Sequence, residues 1–80
     1  MLANSEKVVG SKQVSRGISE GTIGCVIVAE DTERAMKERI VAAAEKSGVS
    51  VLYAPDMAWL GAAAGIDVGA AVAGIKARED

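Results

Sequence analysis

Apolar residues in this chain fall into short unbroken blocks, separated by segments where they recur every three or four positions, and that pattern predicts strands alternating with helices. Lys7-Val8-Val9 is a short apolar stretch, read as the first strand, and Gly10 breaks it. Ser11 is a capping residue type, and the segment from about Lys12 to Glu20 puts Val14 and Ile18 on one helical face while leaving Lys12, Gln13 and Arg16 polar. Gly17 lowers helix propensity there, which predicts close packing at that point, and Gly21 ends the helix. Cys25-Val26-Ile27-Val28-Ala29 is a continuous β-branched run, as expected of a strand buried on both faces. Asp31 or Thr32 is read as the cap of a second helix reaching about Ser47, with Met36, Ile40, Val41 and Ala44 as its apolar stripe and Gly48 as its stop. Val49-Ser50-Val51-Leu52-Tyr53 reads as a third strand. Asp56 then caps a short helix that turns Met57, Leu60 and Ala64 inward and closes at Gly65. After the loop Ile66-Asp67-Val68-Gly69, the run from Ala70 to Ile75 reads as a last buried strand, and Lys76 to Asp80 as a frayed tail.

Strands and helices alternating at this spacing predict crossover connections with helices on both sides of one sheet. The expected fold is α/β, a three-layer α/β/α sandwich around a mixed four-stranded sheet. With 80 residues it forms a single domain, and no repeat, linker or low-complexity tract interrupts it.

Composition narrows the chemistry. Half the residues are hydrophobic, but Phe is absent and Tyr53 and Trp59 are the only aromatics, so the core is built from Val, Ile, Leu and Ala. The formal net charge of −2 gives no bulk support to nucleic-acid binding, leaving only a local basic patch to supply it. The single Cys25 cannot form an internal disulfide and reads as a core residue of its strand, which fits a reducing, cytoplasmic setting. The first seven residues lack the apolar core of a signal peptide, and no apolar run approaches the ~20 residues that span a bilayer, so no membrane partner is expected. The chain has no His, which removes His-based acid/base pairs, triads and metal sites, and one Cys cannot build a thiolate zinc cluster. Glu30-Asp31 is an acidic pair at a strand-to-helix junction, where capping explains it better than catalysis. Neither a phosphate loop nor a dinucleotide fingerprint is present. The reading is of a non-enzymatic protein with no cofactor and no metal.

Two loops stand out as candidate sites. Gly10-Ser11-Lys12-Gln13 is a strand-to-helix turn in which the glycine admits a ligand backbone and the free N–H groups of the helix start favour phosphate oxygens. Lys12 can donate to guanine O6 and N7, Gln13 can donate and accept on a base edge, and Arg16, one turn on along the same face, suits a phosphate. The same four residues also describe an ordinary capped helix with a solvated face. In the second loop, Ile66 and Val68 can pack on an unstacked nucleobase or simply plug the sheet edge. Loops at one end of such a sheet converge, which would make the two segments one surface.

Val8-Val9-Gly10-Ser11-Lys12-Gln13, Val28-Ala29-Glu30-Asp31, Leu60-Gly61-x-Ala63-x-Gly65 and Ile66-Asp67-Val68-Gly69-Ala70-Ala71, in that order and spacing, resemble the short bacterial members of the L7Ae ribosomal-protein family. The resemblance runs over roughly residues 5–76. It implies an RNA-binding domain for kink-turn RNA, a helix–bulge–helix bent beside tandem sheared G·A pairs, such as occurs in ribosomal RNA. By that resemblance Gly10, Ser11, Lys12 and Gln13 would meet the guanines in the major groove and Arg16 the backbone. Ile66, Asp67 and Val68 would cover extruded bulge nucleotides, and Glu30 belongs to the same RNA-binding set. Archaeal and eukaryotic members carry Asn-Glu at Lys12-Gln13, so this chain resembles the bacterial branch. It departs from that branch at Gly61-Ala62-Ala63, where relatives often read Gly-Lys-Ala, and at Trp59, where a polar residue is usual. An exposed Trp59 leads to the alternative of a protein-interaction or assembly module using that face. A small-molecule-binding role has only the generic topology behind it. DNA is not an expected partner.

Overall fold

The computed structural model describes residues 7–65 and 69–77. Its elements follow in the order β1 (Lys7–Val9), α1 (Ser11–Glu20), β2 (Ile23–Ala29), α2 (Arg34–Lys46), β3 (Ser50–Ala54), α3 (Met57–Ala64) and β4 (Val72–Lys76). The strands lie in the order β1-β4-β2-β3, so the last strand is inserted between the first two. β4 runs antiparallel to both neighbours, with Val9 opposite Ala73 and Val26 opposite Gly74. β2 and β3 run parallel, as a helical crossover through α2 requires, with Val26 opposite Val51. The sheet is therefore mixed.

Alternation along the strands sorts the core into two faces. Val26, Val28 and Val72 point to one side, where they pack with Val14 and Ile18 of α1 and with Ile40 and Ala44 of α2. Ala29, Ala54 and Ala73 point to the other, under Leu60 of α3 and beside Ala70. The alanines let α3 sit close to the sheet, and truncating its one large anchor, Leu60, would cost about 2–5 kcal/mol. Three layers result, as expected.

Several local boundaries differ from the sequence reading. β2 begins at Ile23, two residues early, since Ile23 pairs with Lys76 across β4 before a register shift between Ile23 and Cys25. Gly24 is required by crowding, since a Cβ there would lie 3.2 Å from the Ala77 Cα. β3 and β4 each extend one residue further than expected, to Ala54 and Lys76, and β4 starts only at Val72. Gly17 behaves as anticipated: a side chain there would run into Ile23, whose Cδ1 lies 2.8 Å from the Cβ position. Cys25 is half-buried instead of fully enclosed, because the eight-residue α3 covers only part of its side of the sheet. Burial still pushes its thiol up from the ordinary value.

Candidate functional site

Ser11 was expected to cap α1, but the structure gives that place to Gly10 and makes Ser11 the first helical residue. The cause is backbone geometry. Gly10 sits at φ 104° and ψ 146°, where an L side chain is strained, and its amide donates to the Val72 carbonyl at 3.0 Å. The first helical bond runs from the Val14 amide to the Gly10 carbonyl at 3.0 Å. The amides of Ser11, Lys12 and Gln13 therefore precede the ladder, and among the described residues no side chain caps them. The first turn also holds no acidic residue.

The N-terminus of α3 is built in the opposite way. Asp56 Oδ1 accepts from the Trp59 amide at 2.7 Å, and Asp31 Oδ1 accepts from the Met57 amide at 2.9 Å. Two carboxylates thus occupy the positive end of that helix dipole. This corrects the expectation that Asp31 or Thr32 caps α2. Asp31 reaches across to α3, the Thr32 hydroxyl donates to the Ala71 carbonyl at 3.0 Å, and α2 starts only after Glu33, with no side-chain cap.

These bonds tie three junctions to one end of the sheet. The β1–α1 turn is held to Val72, the β2–α2 turn is held to Ala71 through Thr32, and the Ala29 amide donates to the same Ala71 carbonyl at 2.9 Å. The segment from Ala71 to Val72 is the common anchor. Gly10, Ser11, Lys12, Gln13 and Glu30 are brought to this end. Ile66, Asp67 and Val68, the remaining part of the expected surface, lie outside the described residues. Beyond them, the Ala70 amide donates to the Met57 carbonyl at 3.0 Å.

Lys12 and Gln13 are both exposed but diverge, because successive helical residues are turned by about 100°. Lys12 lines a groove between α1 and α2 with Ser11, Ser15, Met36, Arg39 and Ile40. Gln13 lines a second groove with Arg16, Glu20 and Lys76 on the other flank of α1. Arg16 lines the second groove with Gln13 and, four residues after Lys12, stands one turn on from it, between the two. Its guanidinium lies 3.5 Å from Glu20, both side chains being largely exposed, so the pair is weak and open to exchange. Glu30 is engaged by Lys37, whose ammonium donates to the Glu30 carbonyl at 2.8 Å and lies 3.7 Å from its carboxylate. That contact leaves Glu30 a partner of α2 in this state. Lys76 was assigned to the tail by sequence, and only its pairing across β4 brings it beside Gln13 and Arg16.

Trp59 is 52% exposed, and Leu52 and Tyr53 on the edge strand β3 are exposed to a similar degree. They lie on β3 and α3, apart from the two grooves along α1. Among the described residues no group of His, Cys, Asp and Glu is arranged to hold a metal ion, and no helix is long and apolar enough to cross a membrane.

The sequence profile of the ribosomal protein L7Ae/L30e/S12e/Gadd45 family matches residues 2–80. RNA-binding protein YbxF of Geobacillus stearothermophilus is 43% identical over 75 residues, covering 94% of this chain and 92% of that protein. A second relative, from Geobacillus thermodenitrificans and also named an RNA-binding protein, is 41% identical with the same coverage. Among solved structures, a protein with unknown function from Bacillus halodurans C superposes with a TM-score of 0.85 at 22% identity, over 91% of this chain and 73% of that one. The Giardia lamblia 15.5kD RNA binding protein superposes with a TM-score of 0.80 at 22% identity, over 94% of this chain and 63% of that one. These two likenesses establish the shared fold. By sequence, the chain belongs to the ribosomal protein L7Ae/L30e/S12e/Gadd45 family.

Proposed function

We propose that this chain is a non-enzymatic RNA-binding protein that recognises and stabilises kink-turn RNA, such as occurs in ribosomal RNA. The observation that carries the reading is the uncapped N-terminus of α1. Its three leading amides, the exposed Lys12 and Gln13 and the Gly10 turn form a donor-rich surface with no acidic residue in the first turn, whereas α3 has its dipole end closed by Asp31 and Asp56. Such an end suits phosphate oxygens, and Lys12 suits the O6 and N7 edge of guanine. The names of the relatives, RNA-binding proteins at about two-fifths identity, support the same class of ligand.

In this reading Gly10 through Gln13 meet the sheared G·A guanines, Arg16 trades Glu20 for a backbone phosphate, and Ile66, Asp67 and Val68 cover the bulge nucleotides. Glu30 orders the neighbouring turn through Lys37. Binding favours the bent RNA because the protein contacts that conformer alone, a population shift with no bond made or broken. The acidic bulk of the chain means that affinity rests on shape and on these few donors. A gel shift compares a kink-turn RNA with the same RNA after replacement of its G·A pairs. Preferential retardation of the intact kink-turn is expected, and equal retardation, or none, contradicts the proposal.

The half-exposed Trp59, with Leu52 on the same side of the sheet, favours a second reading as a protein-contact module on the same fold. Sedimentation distinguishes it: a concentration-dependent dimer that is lost in Trp59→Ala and indifferent to RNA supports this module over the RNA reading.

A further inference from the structure

We infer that the groove between α1 and α2 is a second backbone subsite of the RNA surface, in which Arg39 and Lys12 together hold one phosphate of the bound strand. The inference rests on the RNA-binding reading and extends it to an element, α2, that lies outside the residues assigned above. The groove has a volume of about 230 Å³, and its wall carries Ser11 and Lys12 from the uncapped start of α1, Ser15 one turn on, and Arg39 from α2. Met36 and Ile40 form its apolar floor. It opens directly beside Gly10, so a strand whose bases meet the helix start has its backbone running past this groove.

The charges distinguish this groove from the rest of the surface. Arg16 is paired with Glu20, Arg34 with Glu38 at 3.1 Å, and Lys37 with Glu30. Arg39 and Lys12 have no carboxylate within pairing distance among the described residues, yet they face one groove from two different helices. Two like charges lining one groove whose lining holds no carboxylate favour an anion there. A phosphodiester supplies one, with the planar guanidinium gripping two oxygens and the ammonium a third contact. The Ser11 and Ser15 hydroxyls stand beside that position as donors and acceptors for the ribose 2′-OH, a group that only RNA offers. The aliphatic Met36 and Ile40 floor suits a sugar-phosphate unit, since the groove's lining offers no aromatic face for a base to stack on.

The test is the salt dependence of binding to the kink-turn RNA and to its G·A-replaced control, between about 50 and 200 mM salt. Wild type is compared with Arg39→Ala, Arg39→Lys and, as a control cation at the far end of α2, Lys46→Ala. Arg39→Ala should lower the slope of log affinity against log salt by about 1 and weaken binding roughly tenfold at the low-salt end, while preserving the preference for the intact kink-turn. Arg39→Lys should restore most of the slope, and Lys46→Ala should change neither quantity. Circular dichroism of Arg39→Ala should match wild type, since the side chain lies on the exposed side of α2. An unchanged slope in Arg39→Ala, or an equal loss in Lys46→Ala, overturns the groove as a subsite. If wild type binds both RNAs alike, the kink-turn reading fails, and the Arg39 slope still decides the groove. If neither RNA binds, both are overturned.

Discussion

The Gly10 amide donates to the Val72 carbonyl at 3.0 Å, bonding the turn that opens α1 to the first residue of β4. That one bond joins residues sixty-two positions apart in the chain and fixes where the helix start points. It also explains why the position is a glycine. A Cβ at Gly10 would meet nothing within 4 Å, so the requirement comes from φ 104° and not from crowding.

Gly10→Ala is therefore expected to destabilise the fold by about 1–3 kcal/mol through backbone strain alone. Urea unfolding measures it, with a lowered midpoint and an unchanged slope as the expected outcome. Wild-type stability in this variant would show that the turn relaxes without cost.

Gly17 gives the opposite case, in which space decides. Gly17→Ala raises helix propensity by about 1 kcal/mol, yet its methyl group would collide with Ile23. Overpacking of this kind costs about 1–3 kcal/mol, so a net loss of stability is expected, and a higher melting temperature would contradict it.

The contrast between these two glycines shows what the sequence could convey. Helix-interior Gly17 was legible as a packing position because a glycine in a helical pattern has few other reasons to be there. The element order was legible for a similar reason: Val26-Ile27-Val28 and the Met36, Ile40, Ala44 stripe carry distinct periods. The caps were not. Ser11, Asp31 and Thr32 are capping residue types by local chemistry, but Thr32 and Asp31 spend their side chains on Ala71 and Met57, partners 39 and 26 positions away. Long-range partners leave no trace in local spacing. The same limit hid the approach of Arg39 and Lys76 to α1, since both depend on how separate elements pack.

Asp31 should matter to α3 more than to α2. Asp31→Ala removes one of two carboxylates from the α3 N-terminus and is expected to cost about 0.5–2 kcal/mol. Hydrogen exchange should show faster exchange at Met57, Trp59 and Leu60, with α2 amides unchanged. Fraying of α2 instead would restore Asp31 to the capping role it was first assigned.

Cys25 should be a slow thiol. Its half-buried position raises the thiol above the ordinary value of 9.0 because burial disfavours the thiolate. Its reaction with a disulfide reagent should be slower near neutrality than that of a free cysteine and rise with pH, with a midpoint above that of a free cysteine. A midpoint at or below that of a free cysteine would show a thiol open to solvent.

Lys12 carries the base-specific part of the proposed recognition. Lys12→Ala should weaken binding to the intact kink-turn by about 1–3 kcal/mol and shrink its preference over the G·A-replaced RNA. Arg16→Ala should chiefly lower the salt slope, and its loss from the exposed Glu20 pair should leave stability nearly unchanged. Equal loss of affinity for both RNAs in Lys12→Ala would make it a phosphate contact only.

The most direct test is to watch the RNA bend. A kink-turn RNA labelled with donor and acceptor dyes on its two arms is titrated with the protein in buffer without divalent cations, where the unbound RNA is extended. Energy transfer should rise to a plateau with wild type and stay flat for the G·A-replaced RNA. Lys12→Ala should require several-fold more protein to reach the same plateau. Protein that retards the RNA in a gel yet leaves the transfer efficiency at its starting value would contradict the claim that this chain selects the bent conformer.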